Sequence, residues 1–187
     1  MAQKRKLISI VIPAFNEENN VERAYGSVCQ SFKDLPEYDF EIVFTDNHST
    51  DQTFQKLEKI AKADSRVRVA RFARNYGFNK SLLTGYRLAQ GDAAIQLDCD
   101  LQDPPSMFSQ FLKKWEEGHD VVVGVRRKRI EAKWLQAGRK IFYRLLNHIS
   151  EDDLIEGGGD FRLVDRSILQ HLRELNDATP YVRGLVS

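Results

Sequence analysis

The chain has 187 residues, 42% hydrophobic and 29% charged, which marks a globular protein with its own core and excludes a disordered one. Its formal net charge of +1 gives no basic excess, so nucleic acid is excluded as the main partner. The two cysteines, Cys29 and Cys99, have no CxxC spacing; a disulfide framework and a cysteine zinc site are excluded, and a reducing, cytoplasmic setting is expected.

The elements follow in order. After the basic Met1–Lys6, the apolar run Leu7 to Ile12 is too short for a signal-peptide core, and Pro13 closes it. It reads as a strand buried on both faces. Asn16 to Asn20 opens a helix reaching about Ser31, its acids favoured by the helix dipole. Phe40 to Thr45 is a second strand. Ser49, Thr50 and Asp51 are caps for a helix to about Ala63, with Ser49 and Gln52 at capping-box spacing. Val67 to Phe72 is a third strand, and a helix from about Asn79 to Gln90 follows with Gly91 as its C′ residue. Ala93 to Leu97 is a fourth strand, Pro104-Pro105 starts a helix that Gly118 ends, and Val121 to Val125 is a fifth strand. Glu131 to Ile149 is helical with a broad apolar face, Gly157-Gly158-Gly159 a mobile loop near an acceptor, Phe161 to Val164 a last strand, and Arg166 to Leu175 a helix.

Five alternations of strand and helix predict an α/β fold, an open, mostly parallel Rossmann-like sheet with helices on both faces. One domain spans residues 1–187, with no repeat or linker. No stretch approaches the ~20 apolar residues of a membrane span. The apolar end from Tyr181 to Ser187 reads as a cut from a longer protein.

Ligands in such sheets bind at the carboxyl ends of the strands. Those ends carry Pro13 to Glu17, Asp46-Asn47, Arg74-Asn75, Asp98 to Asp103 and Arg126-Arg127. Acids beside bases on one rim suit a metal with an anionic ligand. Asp98 and Asp100, two residues apart just past a buried strand, can face one Mg²⁺ or Mn²⁺, and Gln102 adds a neutral oxygen. Asp103, directly before Pro-Pro, is expected to cap a helix.

Plainer readings hold elsewhere. His48, His119, His148 and His171 lack metal-ligand spacing. In the basic run Arg126 to Arg129, Arg126 is expected to be functional, since it directly follows a buried strand; the other three are surface or lipid-headgroup contacts. The Glu131 to Ile149 helix is core, with an interfacial helix as the alternative. Cys99 is expected to point away from its Asp neighbours, buried and inert.

The motifs Ile12-Pro-Ala-Phe-Asn-Glu17, Glu41 to Asp46 with Ser49-Thr-Asp51, Arg74-Asn-Tyr-Gly77, Leu97-Asp-Cys-Asp-Leu-Gln-Asp-Pro-Pro105, Gly124-Val-Arg126 and Gly159-Asp-Phe-Arg-Leu163 occur in order over nearly the whole chain. The sequence thereby resembles glycosyltransferase family 2, enzymes of the GT-A fold, and within it the polyprenyl-phosphate sugar transferases. The resemblance implies that Pro13, Glu17 and Asp46 contact the nucleotide base and ribose. It implies that Asp98 holds ribose or metal-bound water, and that Asp100 and Gln102 bind the metal at the diphosphate. Arg126 would face the phosphate of the lipid acceptor, and Asp160 occupies the family's candidate base position. The implied reaction is an inverting transfer from a nucleotide-diphosphate sugar, UDP- or GDP-linked, to undecaprenyl or dolichyl phosphate at the inner face of a membrane. Members of this branch often carry C-terminal transmembrane helices. The family commonly shows two acids and a glycine after the second strand; here Asp46-Asn47-His48 loses a charge and replaces a residue free to take φ > 0. Alternatives are a saccharide hydroxyl acceptor, which would make Asp160 an essential general base, and a non-catalytic nucleotide or metal module. Sugar identity and homo-oligomer formation are left open.

Overall fold

The structure is a computed structural model that describes residues 5–125, 158–174 and 182–185. Its strands are β1 (Lys6–Ala14), β2 (Tyr38–Asp46), β3 (Val67–Arg71), β4 (Ala93–Gln96), β5 (Val121–Val125) and β6 (Gly158–Asp165). Its helices are α1 (Val21–Lys33), α2 (Thr53–Ala63), α3 (Phe78–Leu88), α4 (Phe108–Glu116), α5 (Arg166–Glu174) and α6 (Val182–Leu185), with a 3-10 turn at Pro105–Met107 before α4.

One six-stranded sheet has the order β3-β2-β1-β4-β6-β5. The apolar β1 lies near its centre, parallel to β2 on one side and β4 on the other. Ile8, Ile10, Val11 and Ile12 are completely buried because helices cover both faces. Ile8, Ile10 and Ile12 face a core shared with Val21, Ala24, Val28 and Phe32 of α1, whose three- and four-residue spacing makes one helical stripe. Val11, on the opposite face, packs with Leu82, Leu83 and Tyr86 of α3 and Leu169 and Leu172 of α5.

The predicted last strand is present but pairs unexpectedly. β6 runs antiparallel between β4 and β5, so these two parallel-running strands never touch. Gly158 and Gly159 are therefore not loop residues: they begin β6, and Gly158 pairs with Val125. Gly157, the Glu131 to Ile149 helix, His148 and the Arg126 to Arg129 run lie outside the described residues.

Other local expectations are corrected by tertiary contacts. Asn16 to Asn20 is a loop, and α1 starts at Val21. Ser49 and Gln52 form no capping box. Asn16 N donates to Ser49 Oγ at 2.9 Å, Glu17 N to Thr53 Oγ1 at 2.7 Å and Glu18 N to Asp51 Oδ2 at 3.2 Å. Thr50 N and Gln52 N donate back to Asn16 Oδ1 and Glu18 Oε2. Ser49 and Thr53 thus satisfy the loop after β1, while Asp51 serves both, its Oδ1 accepting from Thr53 N at the start of α2 at 2.9 Å. Gly91 is not a C′ residue, since Ala89 caps α3. A Cβ on Gly91 would meet the Leu7 and Ala93 carbonyl oxygens at 2.7 Å, so glycine is required by backbone crowding.

Candidate active site

Sheet order reverses between β1 and β4: β2 and β3 build outward from one side of β1, and β4 opens the other. A crevice forms at the carboxyl ends of strands at such a switch point. It holds a cavity of about 390 Å³ lined by Pro13, Ala14, Phe15 and Glu17 after β1, Asn47 after β2, Asn75, Gly77, Phe78 and Ser81 at the start of α3, Asp98, Cys99 and Asp100 after β4, and Asp160 on β6. That volume lies in the range of small-molecule sites.

The acidic side is built by a tight turn. Leu97 N still donates to Val11 O at 3.0 Å, and Leu101 N then closes back on Asp98 O at 3.2 Å. Leu101 takes a φ of 59°, a left-handed conformation that is strained for a bulky residue. The turn leaves Asp98 and Asp100 in the same cavity wall, as their spacing predicts. Cys99 enters the core, with 3% exposure, but also touches the cavity wall; burial pushes its thiol up, away from the reactive thiolate.

Asp98 is held at about 6, above its ordinary 3.8. Burial is the largest cause, followed by the charges of Asp160, Asp100 and Asp103; the Gln96 amide opposes them. This crowding of carboxylates is what a divalent cation would relieve, and hard oxygen donors suit Mg²⁺ or Mn²⁺, so the donor set fits such an ion. Among the described residues no three His, Cys, Asp or Glu side chains form a ready metal cage. An ion held by Asp98 and Asp100 would complete its shell from ligand phosphate and water. Gln102 is turned otherwise than its spacing predicts: its backbone N donates to Asp100 Oδ1 at 3.1 Å, and its Nε2 to Asp100 Oδ2 at 2.7 Å. It braces Asp100 with N–H groups and is not in the cavity wall.

Beneath the acids, Gln96 is 1% exposed, its amide close enough to Asp98 to favour the carboxylate. Arg162, its register partner on β6, is 3% exposed, and the hydroxyl of the fully buried Tyr86 has no hydrogen-bond partner among the described residues. Burial pushes that hydroxyl up, Arg162 pulls it down, and the charges of Asp160 and Asp98 push it further up. A polar layer thus underlies Asp98 and Asp160.

On the opposite wall Asp46 has no exposed surface and is outside the cavity. Its Oδ1 accepts from Ser49 N at 3.1 Å, and its Oδ2 lies 3.2 Å from Arg71 Nε. The wall residue is its neighbour Asn47, which accepts from Tyr76 N at 2.9 Å and donates to Asn75 at 2.9 Å. His48 adopts φ 65°, the left-handed conformation in which a glycine is usual, and its Nδ1 bonds with Phe72 O at 3.1 Å.

The structure therefore brings together Pro13, Glu17, Asp98, Asp100 and Asp160, and leaves Asp46 and Gln102 outside the cavity wall. Arg126 lies outside the described residues. The sequence sets Asn47 and Asn75 at the ligand-facing strand ends without a named contact, and it gives no sign of Ser81. The Arg74 to Gly77 motif was the available signal, but its approach to Asn47 is a tertiary contact.

Comparison with known proteins bears on the family and the fold. The family profile described as glycosyl transferase family 2 matches residues 9–173. The chain is 35% identical over 181 residues to the bactoprenol glucosyl transferase of Shigella phage SfV, covering 96% of this chain and 59% of that protein. It is 36% identical over 180 residues to the uncharacterized glycosyltransferase YkcC of Bacillus subtilis (strain 168), covering 96% and 55%. The chain thus spans a little over half the length of these relatives. Among solved structures, the mannosyltransferase PcManGT from Pyrobaculum calidifontis, in complex with GDP-Man and Mn²⁺, superposes with TM-score 0.64 at 18% identity, over 90% of this chain and 47% of that one. S. aureus TarS 1-349 in complex with UDP-GlcNAc gives 0.59 at 20% identity, over 88% and 46%. These structural likenesses carry the fold, a GT-A glycosyltransferase architecture.

Proposed function

The chain belongs to glycosyl transferase family 2, and from that premise we propose that it binds a nucleotide-diphosphate sugar and, with a divalent metal, transfers the sugar with inversion to a polyprenyl phosphate. The observation that carries this reading is the convergence of Asp98, Asp100 and Asp160 with Glu17 on one cavity at the β1–β4 switch point. The printed name of the phage relative, a bactoprenol glucosyl transferase, supports the acceptor class. A cytoplasmic membrane face as the place of action is part of the same proposal.

The protein's own groups divide the work. Pro13, Phe15 and Glu17 on one side and Asn47 and Asn75 on the other would hold the nucleoside. Asp98 and Asp100 would hold Mg²⁺ or Mn²⁺, which when bound offsets the charge developing on the leaving diphosphate and is worth several kcal/mol. Gln102 keeps Asp100 oriented. Asp160, across from Asp98, would face the acceptor. A phosphate monoester with a second pKa of ~6 is largely ionised at neutral pH, so Asp160 would orient it more than deprotonate it. Arg126, next after β5, would meet the acceptor phosphate.

Titration calorimetry with UDP, GDP and CDP, with and without Mn²⁺, tests the donor site. One nucleotide should bind in a metal-dependent way, and Asp100→Ala should abolish the metal dependence. If none binds under either condition, the transferase reading fails for this domain.

A further inference from the structure

Tyr86 of α3 is the largest fully buried side chain among the described residues, and its ring packs with Val11, Leu82, Leu83, Ala94 of β4 and Val164 of β6. Packing explains the ring and not the hydroxyl. A phenylalanine would fill the same space, whereas a buried hydroxyl with no hydrogen-bond partner among the described residues opposes folding. Its surroundings give that hydroxyl a direction. Side chains alternate along a strand, so Gln96 shares the Tyr86 face of β4 with Ala94, and Arg162 shares that of β6 with Val164. Ile95, Phe161 and Leu163 take the opposite core. Two residues beyond Gln96 and Arg162, toward the carboxyl end of β4, Asp98 and Asp160 stand in the cavity wall. Tyr86 thus covers a column that runs from apolar side chains through an amide and a guanidinium to two acids. After burial itself, the groups that act most on its hydroxyl are Arg162, then Asp160, then Asp98. A hydroxyl in such a field turns its oxygen to the guanidinium and its hydrogen to the carboxylate.

From this we infer that Tyr86 is a positioning residue for Asp160: its buried hydroxyl donates to the Asp160 carboxylate as the site takes up its substrates and fixes that carboxylate toward the acceptor. Hydrogen bonds of this kind are commonly long in unliganded sites and tighten when substrates are bound. Asp98 has its own support from β4, where the Gln96 amide favours the carboxylate, so the hydroxyl serves the other acid. The hydroxyl remains a neutral donor at working pH, since burial, and then the charges of Asp160 and Asp98, push it up against the pull of Arg162. The inference deepens the proposed function and rests on the acceptor-facing role that it gives Asp160.

Steady-state transfer to undecaprenyl phosphate, with UDP-glucose, UDP-GlcNAc and GDP-mannose as donors and Mn²⁺ present, tests it on the native chain and on Tyr86→Phe. The variant should keep the donor KM and lose about tenfold in kcat, the order expected for one hydrogen bond to a charged group. Its urea midpoint should equal or exceed the native one, because the missing hydroxyl has no hydrogen-bond partner among the described residues. In an Asp160→Asn background, Tyr86→Phe should lower kcat no further, since residues that act as one unit are not additive. Tyr38→Phe is the control: that hydroxyl donates to Glu116 at 3.2 Å at the amino end of β2, far from the cavity, and its loss should leave kcat unchanged. The inference is overturned if Tyr86→Phe transfers as fast as the native chain, if its kcat falls only in step with a lower urea midpoint, or if its loss adds in full to that of Asp160→Asn. Coupling to Asp98→Asn in place of Asp160→Asn overturns it equally. A native chain that transfers from none of these donors sinks the proposed function and the inference together, whereas native transfer with an unaffected Tyr86→Phe sinks the inference alone.

Discussion

Asn47 Nδ2 donates to Asn75 Oδ1 at 2.9 Å, and through this contact the end of β2 holds the loop that follows β3. Asn47 Oδ1 accepts from Tyr76 N, and Asn75 Oδ1 accepts from Gly77 N at 2.8 Å, so two side chains fix the turn into α3. Asn47→Ala should therefore lower stability by about 1–2 kcal/mol and weaken nucleotide binding about tenfold. Urea unfolding and calorimetry measure the two effects. Unchanged binding in the variant would mean that this wall does not touch the nucleotide.

Asp98 should make stability depend on pH. Its carboxyl titrates at about 6 in the fold against an ordinary 3.8, because burial and then Asp160, Asp100 and Asp103 oppose its charge. Between these values the folded state binds the extra proton. The stability this confers is complete below pH 4 and is lost as pH rises through 6. Asp98→Asn should raise stability by ~1 kcal/mol at pH 7.5, allowing for partial solvent access, with no gain at pH 3.5. Thermal melts at both pH values check this, and metal-dependent nucleotide binding should weaken in the same variant.

Asp64 works in the opposite sense. Arg66 grips it with Nε at 2.9 Å and Nη2 at 2.6 Å, and Tyr25 donates to it at 2.9 Å. The Arg66 hydrogen bonds hold its carboxyl well below the usual range, and the hydrogen bond Tyr25 donates to it, with burial, pushes Tyr25 up to about 12. This stability is present above pH 4 and is lost as the carboxylate takes up its proton in acid. Asp64→Asn should cost about 1 kcal/mol at pH 7 and progressively less as the pH falls from 4 to 2, as read from urea midpoints.

Gly91→Ala should be among the most disruptive small substitutions in the chain. The added methyl would stand 2.7 Å from two carbonyl oxygens and 2.8 Å from Ser9 N, all backbone atoms of the central strands and their approach. A loss of about 2–3 kcal/mol is expected, with reduced soluble yield. Gly26→Ala is the control, since nothing lies within 4 Å of its added Cβ. Equal urea midpoints for the two variants would contradict the crowding argument.

Each of these positions lies on one side of a divide between local and distant information. The buried strand β1 was legible because Leu7 to Ile12 is continuously apolar, a run that only a strand covered on both faces buries. Asp98 and Asp100 were legible as a pair because a polar run at the end of a buried strand must emerge at the sheet's rim. β6 was read as a strand from Phe161 to Val164, but its place between β4 and β5 was not, since no residue pattern states which strand a strand will pair with. Gly158 and Gly159 look like loop residues until Val125 lies beside them. Asp46 reads as a ligand contact until Arg71 and Ser49 close over it, and Asn47 reads as a lost charge until Asn75 approaches. Periodicity and turn chemistry act over a few neighbouring residues, so the sequence alone determines the elements and the acids at their ends. Sheet order, the facing of loops and the burial of single polar groups depend on hydrogen bonds and packing between residues distant in the chain, and only the assembled sheet decided them.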